Sequence, residues 1–432
     1  MFIYHRRMKD KGPLSRIAEG ISDACYVWWQ EMRNTFKDEG VIIFFLIVPI
    51  AYPLLYSWVY NNEVVHEVPV AVVDNSHSAL SRDFIRRCDA SPDVRIACHA
   101  TDMDEAKALM SSQEVRGIYY IPSDFSTRQG RMQQTVVSVY CDMSLMLTYK
   151  AVYQAALLVS QEMNSDIQVA VSGNQTDRED EIMRMPLAYE EVPIFNSTGG
   201  YGNFILPGVL MLILQQTLVL GIGLAAGTAR ETNGYKELIP ISKHYRGVFR
   251  IVLGKALCYM MIFSVTAAYL TLVVPRIFGF AALSRPADLL GVMLPYLLAC
   301  VFFGMTVSCL IRYRENVMLL VVFMSVPLLF LSGVSWPQSD IPWFWQAVSW
   351  IFPSTFGVRA FVRVNSMGAG LSDVVTEYRM LWLHVVVYFC LACGVYRYQI
   401  YLSRANLMRR LRDLRHKRAV RRKLRHGVGK DR

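Results

Sequence analysis

Val41 to Tyr60 holds twenty consecutive residues without a charged side chain. A helix rises about 1.5 Å per residue, so this run is long enough to cross a hydrocarbon core of roughly 30 Å. It starts abruptly after Lys37, Asp38 and Glu39, and it ends on Trp58 and Tyr60, aromatics that favour a membrane interface. A cleaved secretory signal is not expected, because the run begins forty residues in and no small-residue cleavage site follows.

Five more runs share this character. Phe195 to Ala229 carries no charge, and the second span is expected at about Asn203 to Ala226, after Gly199, Gly200 and Gly202. A third is expected from about Val248 to Pro275, with Lys255 near one end, and a fourth from about Leu289 to Ile311. The fifth follows Arg314 and Glu315 and runs from Val317 to about Val334; the sixth runs from about Met380 to Tyr401. Ile341 to Val358 is also uncharged, but Pro342 and Pro353 leave roughly ten helical residues, too few to span. The segment 336–358 therefore reads as a re-entrant or interfacial hairpin, which survives at membrane depth only where protein or water covers its backbone.

Composition agrees: apolar residues make up 53% and charged residues 19%, with mean hydropathy +0.26. Soluble domains carry about 25% charge. The aromatic content excludes a disordered chain, and nine cysteines are too few for a disulfide scaffold of this length.

Six spans put both termini on one side, and basic residues choose the side, since short cytoplasmic loops hold the excess of Lys and Arg. Seven basic residues precede the first span, five lie between Gly227 and Arg250, two (Arg312 and Arg314) lie between spans four and five, and thirteen follow Leu402. The segment Asn61 to Gly200 has eleven basic and twenty acidic residues. The expected topology has the termini in and this large loop out. Trp58, Trp336, Trp343, Trp345, Trp350 and Trp382 all fall at the outer ends. The expected division is 1–40, an inner amphipathic helix; 41–60, the first span; 61–200, the outer domain; 201–402, spans two to six with the hairpin; and 403–432, a basic tail.

The outer segment alternates β-rich runs with helical ones. Val68 to Asp74, Val94 to Ala100, Val115 to Ile121 and Thr135 to Asp142 read as strands. Ser78 to Cys88 and Asp102 to Ser112 read as helices, with Ser76 and Asp102 as N-caps, and Leu145 to Val171 as a long helix. Ser172 to Pro193 reads as an acidic loop. The fold class is thus an α-helical membrane protein of six spans with an α/β extracytoplasmic domain between spans one and two. Cys88 and Cys98 are the most local choice for a disulfide, although a third cysteine, Cys141, leaves the count odd. His66, His77 and His99 lack metal-ligand spacing.

Leu14, Ile17, Ile21, Cys25, Trp28, Met32 and Phe36 recur at three- and four-residue steps, with Arg16, Glu19, Asp23, Gln30 and Lys37 between them. Beside a span, such a helix reads as an interfacial elbow, with Trp28, Trp29 and Phe36 at the interface. The loop from Ala229 to Leu238 is short and charged, and reads either as a solvated connector or as a docking helix. Beyond Arg404 a basic, partly amphipathic segment suits anionic lipid; it lacks the interleaved aromatics of a nucleic-acid site.

No phosphate-cradling G-x-x-x-x-G-K loop, zinc spacing or nucleophile motif occurs, so no catalytic or metal residue is assigned. Cys390 and Cys393 fall within span six and suit packing. His384 lies in the same span, near its outer end, where it is either a functional group or simply hydrated.

Four segments resemble those of ABC-2 type transporter permeases, in particular the multidrug-export-like branch with a large extracytoplasmic domain after the first span. These are Phe36-Lys-Asp-Glu-Gly40 with Pro49 and Val68-Pro-Val-Ala-Val-Val-Asp74; Ile121-Pro-Ser-Asp-Phe125; Ala229 to Leu238 with Pro240 and Gly254-Lys255; and Leu331-Ser332-Gly333 with Trp336-Pro337, Pro342 and Phe352-Pro353-Ser-Thr355. The family's Glu-Arg-Glu appears here as Ala229-Arg230-Glu231, and its Gly-Thr as Gly234-Tyr235. The resemblance implies a permease subunit of an ATP-driven efflux system in a bacterial inner (plasma) membrane, moving an amphipathic or drug-like cargo. It implies a dimer with a second copy or paralogue, and a separate cytoplasmic ATPase that binds ATP and Mg. A periplasmic adaptor and outer-membrane channel are further implied partners. Arg230, Glu231, Lys236 and Glu237, with Tyr235, would meet the ATPase, Gly234 would end the docking helix, and Pro337, Pro342 and Pro353 would line the exit. The rival reading is a multi-span receptor whose outer domain binds a ligand or phage. An intramembrane enzyme would need ionisable clusters that these spans lack.

Overall fold

The computed structural model describes residues 13–61, 64–173, 176–185, 192, 194–196, 200–232, 247–310 and 313–427. They form two compact units, one built from 62–194 and 198–200, the other from the remainder.

The first of these is an α/β unit. Its strands are β1 (Val68–Asp74), β2 (Val94–His99), β3 (Gly117–Ile121) and β4 (Ser138–Cys141), in the order β2-β1-β3-β4. β1 pairs parallel with both β2 and β3, while β4 adds antiparallel to β3. Both crossovers are helical: α3 (Ala79–Asp89) joins β1 to β2, and α4 (Met103–Ser111) joins β2 to β3. A parallel strand covered on both faces must be apolar on both, which is why β1 reads Val-Pro-Val-Ala-Val-Val without alternation. Val70 and Val72 pack with Phe84 and Cys88 of α3 and Val152 of α6 (Met146–Ser172); Ala71 and Val73 pack on the other face with Ala106 of α4.

Three expectations change here. The cap of α3 is Ser78, not Ser76: the Asp74 carboxylate accepts from the Ser76 and His77 amides, and that turn delays the helix by two residues. Asp102 does cap α4, accepting from Glu105 N at 2.8 Å. The acidic stretch after α6 is not all loop, since Thr176 caps a helix α7 (Asp177–Arg184), whose first turn carries Asp177, Glu179 and Asp180 beside its positive end. A short helix α5 (Phe125–Gly130) follows β3. Cys88 and Cys98 are unpaired, because Cys88 packs in one face's core and Cys98 against the other's.

The larger unit is helical. α1 (Pro13–Thr35) precedes six helices long and apolar enough to cross a membrane. These are α2 (Glu39–Val59), α8 (Tyr201–Thr232), α9 (Val248–Phe278), α10 (Pro286–Leu310), α11 (Arg314–Leu331) and α14 (Val375–Gly427). Between α11 and α14 lie α12 (Trp343–Ser349) and α13 (Pro353–Met367). α8 is the centre of the bundle: 83% of its apolar window is buried, against 28% for α2 and 22% for α11 and α14. α2 and α9 each contain a π turn, at Ile43–Ile47 and Tyr269–Val273. The sixth helix does not stop near Tyr401, as the charge pattern suggests, but continues unbroken through the basic segment to Gly427. Arg and Lys are good helix formers, and no Gly or Pro intervenes before Gly427.

Candidate functional site: helix-end polar contacts and the hairpin

At the bundle end that holds Asp38, three polar contacts tie helices together. Asp38 caps α2, its Oδ1 accepting from the Gly40 and Val41 amides at 3.0 and 3.3 Å. The same carboxylate accepts from the Thr228 hydroxyl of α8 and, at 2.9 Å, from Arg314 Nη2 of α11. Burial pushes the Asp38 carboxyl up, but the Thr228 and Val41 hydrogen bonds and the Arg314 charge outweigh it and hold it below its ordinary value. One side chain thus joins the ends of three spans.

The second contact joins α1 to α9. Lys255 Nζ donates to Glu31 Oε2 at 2.7 Å, the Tyr259 hydroxyl donates to Glu31 Oε1, and Arg250 Nη1 donates to Asp23 Oδ2 at 2.5 Å. Asp23, Val27, Glu31 and Thr35 recur every four residues and are all buried. The sequence places Asp23 on a solvated face, and the structure reverses this. The buried face of α1 carries the acids, while Ile17, Ile21, Trp29 and Phe36 stay exposed. Gly254 makes the approach possible: a Cβ there would lie 2.7 Å from the Ala24 carbonyl oxygen and 2.9 Å from Val27. Glu31 escaped the sequence reading. The available signal was Lys255, a cation within an apolar span that requires an anion nearby.

The third contact concerns the expected docking loop. Arg230, in the last turn of α8, is buried, and its Nη2 donates to the Cys309 carbonyl of α10 at 3.0 Å. It ties two helix ends together and does not sit on a rim. Glu231 is exposed at the end of the same helix. Gly234, Tyr235, Lys236 and Glu237 lie outside the described residues.

The hairpin lies at the other end of α11. Leu331 ends that helix, and the Ser332 hydroxyl turns back to the Leu329 carbonyl at 2.7 Å. Gly333 adopts φ +86°, a conformation open to glycine at little cost. Pro337 starts the single turn Gln338–Asp340, Pro342 caps α12 and Pro353 opens α13. Trp336 is exposed. The second arm is longer than expected, because α13 continues past Val358 to Met367. Gln215, buried in α8, donates to Ser354 Oγ at 3.2 Å and accepts from Cys300 Sγ at 3.5 Å. His384 of α14 donates through Nε2 to the Trp350 carbonyl at 2.8 Å, and the Tyr388 hydroxyl donates to the Ile351 carbonyl. His384 is therefore a buried anchor of the hairpin turn and not a hydrated group.

Broken backbone held by side chains of α8 and α14, with prolines at the starts of α12 and α13 and the Trp350 and Ile351 carbonyls engaged, is a membrane-protein device. The family model described as ABC-2 family transporter protein matches residues 40–393, which takes in all six spans up to Cys393 and the hairpin. This chain belongs to the ABC-2 transporter family. Comparison with curated proteins finds no match. An ABC-2 permease is the membrane subunit of an ABC transporter, and the family implies an ABC ATPase partner. Among the described residues of this permease, no group of three His, Cys, Asp or Glu side chains is placed to hold a metal ion.

Proposed function

We propose that this permease exports an amphipathic or drug-like compound, driven by ATP bound with Mg to a separate cytoplasmic ATPase subunit. The observation that carries this reading is the joined helix ends beside Glu231. An element pressing on α1 or on the end of α8 meets ion pairs and hydrogen bonds that lead into α9, α10 and, through Thr228 and Asp38, α2 and α11. A push there moves several spans together, as rigid-body switching requires. The chain supplies no nucleotide-binding loop of its own, so we assign hydrolysis to the partner.

The basic residues near the Asp38 end support an inner-side location for that end, with both termini cytoplasmic and the α/β unit outside. The exposed apolar faces of α2 and α11 suit a second permease copy or paralogue as well as lipid. The α/β unit would then meet a periplasmic adaptor leading to an outer-membrane channel, and the basic end of α14 would lie against anionic lipid. Glu231, with Lys236 and Glu237, would contact the ATPase.

The test is co-purification from mild detergent with an ATPase assay on the eluate. An ATPase should accompany the wild-type chain, and Glu231→Arg should abolish both its activity and export while the permease stays in the membrane. Unchanged export by the variant removes Glu231 from the mechanism. A stable chain recovered without any ATPase sinks the export reading.

A further inference from the structure

Asp340 is the only charged residue between Glu315 and Arg359. It ends the single turn that Pro337 starts, and its amide donates to the Pro337 carbonyl at 3.1 Å. Its side chain is exposed, and among the described residues it has no cationic partner. It lines a pocket of about 340 Å³ together with Trp336, Trp345, Phe330, Leu331 and Pro327.

The chemistry of this wall is one-sided. Indole and phenyl faces are negative at their centres and attract a cation. The carboxylate adds a full negative charge and repels an anion. The leucine and proline surfaces gain by covering hydrocarbon. A neutral amphiphile would satisfy the walls and leave Asp340 unused, whereas an ammonium on an apolar body uses every part. We infer that this pocket binds the ammonium end of a lipophilic cation. The ammonium could come from a phospholipid headgroup or from a free amphiphilic cation. A role in export rests on the permease reading above; the binding itself needs no ATPase.

The experiment uses the full chain in nanodiscs of phosphatidylglycerol, with labelled dodecyltrimethylammonium as the probe and empty nanodiscs subtracted. Saturable binding is expected, weakened about tenfold in Asp340→Asn and in Trp345→Ala, since each removes one attraction for the cation. Dodecanol and dodecyl sulfate should compete poorly. Repetition in phosphatidylcholine nanodiscs separates the sources. Loss of probe binding there marks the lipid headgroup as occupant, and retention marks the free cation; either result supports an ammonium site. Absence of saturable binding by the wild type, binding by Asp340→Asn within twofold of wild type, or equal competition by dodecanol overturns the inference. Among the described residues the Asp340 side chain makes no ion pair or hydrogen bond, and matching melting curves for Asp340→Asn and wild type confirm that the comparison is between folded proteins. Failure here with intact ATPase co-purification would remove the pocket and leave the permease reading standing.

Discussion

Lys255 and Glu31 form an ion pair of 2.7 Å with side chains only 5% and 8% exposed. Both charges have left water, and each is tolerable only because the other is present. The pair makes α1 and α9 one mechanical piece. Removing one partner strands the other: Lys255→Met should cost about 3–5 kcal/mol, and Glu31→Gln a similar amount. The exchange Glu31→Lys with Lys255→Glu should recover part of the loss. Thermal unfolding of the detergent-purified chain checks this, and a Lys255→Met melt equal to wild type would show that the pair contributes nothing.

Gly254 sets how closely the same helices approach. Gly254→Val places a branched side chain where a Cβ alone already lies 2.7 Å from Ala24 O. We expect a cost of about 1–3 kcal/mol and loosening of α1 from α9. Trypsin should then cut after Arg33 faster than in the wild type, and an unchanged cleavage rate would count against the close approach.

Asp38 predicts a pH dependence. Its carboxyl is held below its ordinary value in the folded chain, so the unfolded chain binds its proton more readily. Its contribution is present above the unfolded value of about 3.9 and disappears as pH falls through the lower folded value. Asp38→Asn keeps an oxygen that can cap α2 but loses the charge facing Arg314, so it should lower stability at pH 7 by up to about 1 kcal/mol. The gap between variant and wild-type melting temperatures should narrow as the medium is made strongly acidic. Parallel curves would falsify the assignment.

Cys88 predicts a chemical silence. Burial, aided by Asp89, pushes its thiol up to about 12. Thiolate is the reactive form, so Cys88 in the folded chain should resist maleimide across pH 7 to 9 and react readily in urea. Peptide mass spectrometry after labelling reads this directly. Rapid native-state labelling would place the thiol at the surface.

The spans were legible because a bilayer imposes length and charge rules that act on each segment alone. β1 was legible to the residue, since a doubly covered parallel strand has nothing but apolar side chains to show. What escaped depended on partners. Arg230 and Asp23 look like surface charges in the sequence, and partners distant along the chain, the carbonyl of Cys309 and the guanidinium of Arg250, meet them where they are buried. Ser76 and Ser78 are equally good caps as residues, and the Asp74 side chain decides between them. α7 offers only Ile182 and Met183 as apolar residues and buries neither, so its cap at Thr176 and its acidic first turn were the clearest signals. The far end of α13 was hidden because Arg359 and Arg363 end the apolar run while the helix continues, Arg363 pairing with Glu377 of α14 at 3.2 Å.

The second π turn lies against α2 just past the first, with the Tyr269 hydroxyl donating to the Ile50 carbonyl. A π turn is an α-helix that has accommodated one surplus residue. Beyond Ile47 and beyond Val273, every side chain is rotated from the face that an unbroken helical wheel would give it. These two places are therefore where the chain can lose a residue without losing its fold. Deletion within Ile43–Ile47 restores plain helix and turns one half of the span against the other. The same deletion a turn away would carry Asp38 off its neighbours, or Pro53 out of its packing.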